Sequence, residues 1–99
     1  MGKLVRDKIP DLIRADGGNP SIRILDEHEY RSALHAKLAG EAAELAEATG
    51  SDAAEELADV REVLLAVADL HGIRWTDVER IARTKHDECG GFPGRVHLG

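Results

Sequence analysis

Residues 37–70 read KLAGEAAELAEATGSDAAEELADVREVLLAVADL, and the periodicity of this stretch decides the fold. Two helical patterns flank a break at Thr49-Gly50-Ser51-Asp52. Each carries acidic residues three apart, Glu41 and Glu44 before the break, Glu56 and Asp59 after it. Side chains advance about 100° per helical residue, which sets the side each pair faces. Measured from Glu41, Tyr30, Leu34, Leu38 and Leu45 fall within about 60°, together with Lys37 and Glu44. Measured from Glu56, Val60, Val63, Val67 and Leu70 lie within about 40°, and Asp59 at about 60°. Glu47, Glu62 and Asp69 fall further round, where solvated charges belong. Four carboxylates therefore lie in, or at the edge of, stripes that should be buried. An ionised carboxylate in an apolar interior must be neutralised, paired or bound to a metal. Four facing one another repel strongly without a cation. Acidic pairs on helices are ordinarily solvated or salt-bridged, and Lys37 offers Glu41 such an i,i+4 partner. Their placement in apolar stripes is what favours a divalent ion.

Upstream, Pro10 can open a short helix, PDLIRAD, which Gly17 and Gly18 end. SIRIL (21–25) alternates weakly and reads as a strand. Asp26 with Glu29 makes a capping box for the long helix, which runs to about Ala48. Gly40 costs that helix up to about 1 kcal/mol against alanine, which makes sense where something approaches the backbone closely. After the break, Asp52 with Glu55 starts the second helix and Gly72 stops it; so short a connection makes the two helices antiparallel. Thr76 with Glu79 makes a third box before a helix reaching about Cys89, and FPGRVHL is a second strand candidate weakened by Pro93. The fold expected is all-α: one domain over 1–99, a helical bundle with short extended arms at its N- and C-termini.

The three aromatic residues Tyr30, Trp75 and Phe92, with abundant alanine, make for a core of little bulk. Trp75 and Phe92 read as core side chains. So modest a core makes a homodimer or higher oligomer the expectation. A formal net charge of −6 disfavours non-specific binding to nucleic acid or anionic membrane. Cys89 is the sole cysteine, so no internal disulfide forms, and a reducing compartment fits. The opening residues show no apolar signal region and the longest apolar run is too short for a bilayer, so a cytoplasmic protein is expected.

Carboxylates at i and i+3 on one helix lie close enough to bind one ion, and two such pairs across a hairpin make an oxygen-rich cage suited to Mg²⁺ or Mn²⁺. No histidine has an acidic residue three positions before it, against a ferritin-like di-iron site, and the His and Cys residues are scattered, against zinc. Glu41-x-x-Glu44 followed by Glu56-x-x-Asp59 resembles the EExxE…ExxD signature of the all-α nucleoside triphosphate pyrophosphohydrolases, among them MazG-type enzymes and phosphoribosyl-ATP pyrophosphohydrolases. The opening KLVRDKIP and the ending Gly90-Gly91-Phe92 look like the small single-domain MazG-like branch. Gly40 stands where the motif has its first glutamate, a form similar to that of dCTP pyrophosphatase-like members. Cys89 stands where an arginine is expected before the glycine pair.

The resemblance implies Mg²⁺-dependent attack of water on the α-phosphorus of a nucleotide, releasing a monophosphate and pyrophosphate. Glu41, Glu44, Glu56 and Asp59 would hold the metal, and Glu44, left partly free, would orient or deprotonate the water. Lys3, Arg6, Lys8 and Lys37, with Lys85 as a further candidate, would hold the phosphates. The plainer alternative for Lys3, Arg6 and Lys8 is a surface arm paired with Asp7 and Asp11. Two other functions fit the same residues: phosphoribosyl-ATP pyrophosphohydrolase, and a non-catalytic helical module that binds nucleotide or a partner.

Overall fold

A computed structural model describes residues 2–99, and it is all-helical: α1 (Ile9–Ala15), α2 (Glu27–Glu47), α3 (Asp52–Leu70) and α4 (Trp75–Cys89). The chain divides into two units, one ending at Val67 and one running from Ala68 to Gly99. No described helix is long and apolar enough to cross a membrane.

The first unit holds the N-terminal arm, α1, α2 and most of α3. Pro10 lies in the first turn of α1, where its missing N–H costs nothing. The helix closes in a Schellman turn: Gly18 N donates to Ile13 O at 2.9 Å and Gly17 N to Arg14 O at 3.0 Å. Gly17 takes φ +90° there, a conformation a Cβ would strain. The capping box at α2 is complete, with Asp26 accepting from Glu29 N at 2.8 Å while Glu29 accepts from Asp26 N at 3.4 Å. A cap of this kind is worth about 1 kcal/mol. Arg23 reinforces it with two bonds to the Glu29 carboxylate, at 3.1 and 2.8 Å. Those bonds, with the Asp26 backbone contact, hold the Glu29 carboxyl below the usual range.

Apart from Glu44, which is exposed, the stripes that periodicity marks are the ones that face inward. On α2, Leu34 and Glu41 are buried and Tyr30, Lys37, Leu38 and Leu45 are half-buried. On α3, Val63 is buried and Glu56, Asp59, Val60 and Val67 are half-buried, while Glu62, like Glu47 at the end of α2, is exposed. Glu41 is the one charged residue buried among those described. Gly40 departs from its expectation: a Cβ built there meets nothing within 4 Å. No part of the chain itself uses the glycine as a close approach.

The two strand candidates form no strand. A strand requires a ladder partner, and none is present among the described residues. In SIRIL the Arg23 side chain is committed to the α2 cap instead. In FPGRVHL, Pro93 brings no N–H, Arg95 N donates to Phe92 O at 3.0 Å to close a turn, and Arg95 takes φ +56°.

In the second unit the end of α3 closes in another Schellman turn, with Ile73 N donating to Ala68 O at 2.9 Å and Gly72, at φ +69°, to Asp69 O at 3.0 Å. The capping box at Thr76 is not formed. Helix α4 already begins at Trp75, with Arg74 as its N-cap and no side-chain cap bond, so Thr76 sits inside the first turn. Arg74 instead pairs with Asp77 at 3.3 Å. At α3 likewise, Asp52 is the first helical residue rather than the residue before it, and i→i−3 bonds from Asp52, Ala53 and Ala54 wind the turn in. Trp75 is half-buried, but Phe92 is 96% exposed and is not a core residue.

Candidate metal centre

Glu41 comes from the middle of α2 and Glu56 and Asp59 from the first half of α3. Each offers one carboxylate oxygen, and the three oxygens lie within 4.8 Å of one another. The hairpin brings them together: Glu41 shares its stripe with Leu34, and Glu56 and Asp59 flank the stripe of Val60 and Val63. Burying Leu34 and Val63 therefore carries the carboxylates inward.

Glu41 is only 8% exposed. One of its oxygens, Oε1, forms an ion pair with Lys37 Nζ at 3.1 Å, and the other, Oε2, is buried with no hydrogen-bond partner. Oε2 of Glu56 is in the same condition. Two orphaned oxygens beside a third carboxylate form a donor set of hard ligands. Oxygen-only sets of this kind suit Mg²⁺ or Mn²⁺ and not zinc. The residues present fit a divalent ion.

Burial pushes the Glu56 carboxyl above the usual carboxylate range, and the charges of Glu44, Asp59 and Glu41 push it the same way. A raised value in the fold means that the folded state holds the proton more tightly than the unfolded chain. The favourable contribution is complete below the unfolded value of about 4.3 and is lost as pH rises through the raised one. Glu56→Gln, which is neutral at every pH, is therefore expected to melt above wild type at neutral pH in the presence of a chelator. The difference should close as the pH falls toward 4. Melting curves of both proteins across this range check it, and superimposable pH profiles would remove the strain assigned to Glu56.

The remaining carboxylate of the sequence motif, Glu44, is exposed and stands at the rim, outside the convergent three but near enough to raise the Glu56 carboxyl both by its charge and by a side-chain hydrogen bond. Among the basic candidates, Lys37 and Arg6 are brought to the cluster. Lys37 contacts Glu41, the ordinary i,i+4 pairing that the spacing offers. Arg6 does not pair with Asp7 or Asp11: its Nη2 donates to Asp59 Oδ1 at 2.8 Å, and its Nη1 lies 3.8 Å from Glu62. Asp11 is taken by Arg14. Lys3 and Lys8 are exposed on the arm, and Lys85 is exposed on α4 in the second unit. Periodicity missed the partnership of Arg6 with Asp59 because the two are 53 residues apart.

No protein family's profile matches the chain, and neither does any solved structure. An uncharacterized protein of Mycolicibacterium smegmatis (strain ATCC 700084 / mc(2)155) is 57% identical over 56 residues. That match covers 57% of this chain, which spans somewhat over half, 57%, of the relative's length.

Proposed function

We propose that the chain is a Mg²⁺-dependent pyrophosphohydrolase of the all-α, MazG-like kind, cleaving a nucleoside triphosphate or related nucleotide to a monophosphate and pyrophosphate. One observation carries the reading: Glu41, more than nine-tenths buried, keeps an unpartnered oxygen beside the carboxylates of Glu56 and Asp59. Burying a charge in that condition is costly unless something binds it. The ion would neutralise charge on the triphosphate and acidify a water.

The chain's own residues take the other parts. Glu41, Glu56 and Asp59 hold the ion, and Lys37 keeps the Glu41 carboxylate from turning away. Glu44, exposed at the rim, is free to orient a water and accept its proton. Arg6, Lys3 and Lys8 supply positive charge for the phosphates the ion does not reach. Among the described residues only Leu34, Val63 and Ala68 are buried apolar side chains, which supports assembly as a homodimer or higher oligomer.

The test is a panel of canonical and modified nucleoside triphosphates, with phosphoribosyl-ATP included, incubated with the full chain and Mg²⁺. Release of pyrophosphate, and not of phosphate, is expected from at least one member. Tight binding of nucleotide without turnover under Mg²⁺ or Mn²⁺ would replace the enzyme with a binding module. Turnover confined to phosphoribosyl-ATP would narrow the substrate to that nucleotide.

A further inference from the structure

Asp59 is shared between two claims. It is one of the three convergent carboxylates, and it also accepts the hydrogen bond from Arg6 at 2.8 Å. A guanidinium and a divalent ion on one carboxylate are like charges at close range, so each weakens the other's hold. Leu4 and Val5 on one side of Arg6, and Ile9 and Pro10 on the other, are half-buried, while the Arg6 side chain itself is exposed. The pair itself is open to solvent, the side chains being 53% and 40% exposed. Ion pairs of that exposure contribute little and break readily.

We propose that Arg6 is an exchangeable cation of this site: it neutralises Asp59 until a divalent ion arrives, then gives up the carboxylate and turns its fork of donors to the phosphates of the incoming nucleotide. The inference rests on the metal site described above. Arg6 thus opposes the ion when the ion is alone and assists it when phosphate is present. A merely structural arginine that held Asp59 in place would assist in both cases.

Opposite signs make the test. Arg6→Gln, Arg14→Gln and the unaltered chain are titrated with Mn²⁺ alone, read by loss of the free-ion electron paramagnetic resonance signal, and then with Mn²⁺-tripolyphosphate by calorimetry. Arg14→Gln removes the same charge from a position bonded to Asp11 and away from Asp59. Arg6→Gln should bind Mn²⁺ about two- to fivefold more tightly, the range open to an exposed ion pair. It should bind Mn²⁺-tripolyphosphate about tenfold more weakly, as expected for losing a charge-assisted bond. Arg14→Gln should change neither. Equal or weaker Mn²⁺ binding by Arg6→Gln overturns the exchange and leaves the metal site standing. An unaltered chain that binds no Mn²⁺ overturns both.

Discussion

Glu41→Gln is expected to lose at least about 100-fold in both Mn²⁺ affinity and pyrophosphate release, while the protein stays folded. The amide has the shape of the carboxylate, so packing around this buried position is kept. What is lost is one of three anionic ligands, and in metal sites even the partners of ligands cost about 10–100-fold when replaced. Stability should move in the other direction. The unpartnered Oε2 no longer carries charge in a buried place, and Lys37, 28% exposed at its side chain, can turn to water when its partner becomes neutral. Thermal melting in the presence of a chelator should therefore hold or rise, and added Mg²⁺ should raise the melting temperature of wild type but not of the variant. Circular dichroism melts, Mn²⁺ titration and a pyrophosphate assay check the three parts. Full activity in this variant would remove the site, because no other residue of the cluster is as deeply buried.

Leu34→Ala is expected to be the most damaging truncation in the first unit. Leu34 is 2% exposed and is the deepest apolar side chain described. Cutting such a leucine to alanine costs about 2–5 kcal/mol, against a total of about 5–15 kcal/mol for an ordinary domain. With so few other apolar groups buried, little remains to absorb that loss. The melting temperature should fall by about 8 °C or more. Leu57→Ala makes the same deletion on α3 at a side chain 56% exposed and should stay within about 0.5 kcal/mol of wild type. Urea melts of the pair give the comparison. Equal costs at the two positions would mean that the α2 stripe is not the seat of the core, and Glu41 on that stripe would lose its reason to be buried.

Much of this was present in residue spacing. The stripe through Leu34 and Glu41, the stripe through Glu56 and Val63, the box at Asp26 and Glu29 and the stops at Gly17 and Gly72 all depend on neighbours within two helical turns. Helical geometry fixes the relation of such neighbours, and so the all-helical character and the inward side of each helix are properties of the chain itself. Local pattern misled in two ways. SIRIL and FPGRVHL alternate as strands do, yet alternation supplies no ladder partner. Thr76 and Glu79 have the spacing of a box, yet the helix begins two residues earlier than that box requires and leaves Thr76 no cap to make.

Tertiary structure decided what the spacing left equal. Periodicity put Glu41, Glu44, Glu56 and Asp59 on comparable footing, and the packing of α2 on α3 draws in three and leaves Glu44 exposed at the rim. It also joined Arg6 to Asp59 and left Lys3 and Lys8 exposed. The reason is physical. A helix repeats every few residues and carries no information about which atom of another segment will stand opposite, so the direction of a side chain is local while its company is settled only when the chain has folded.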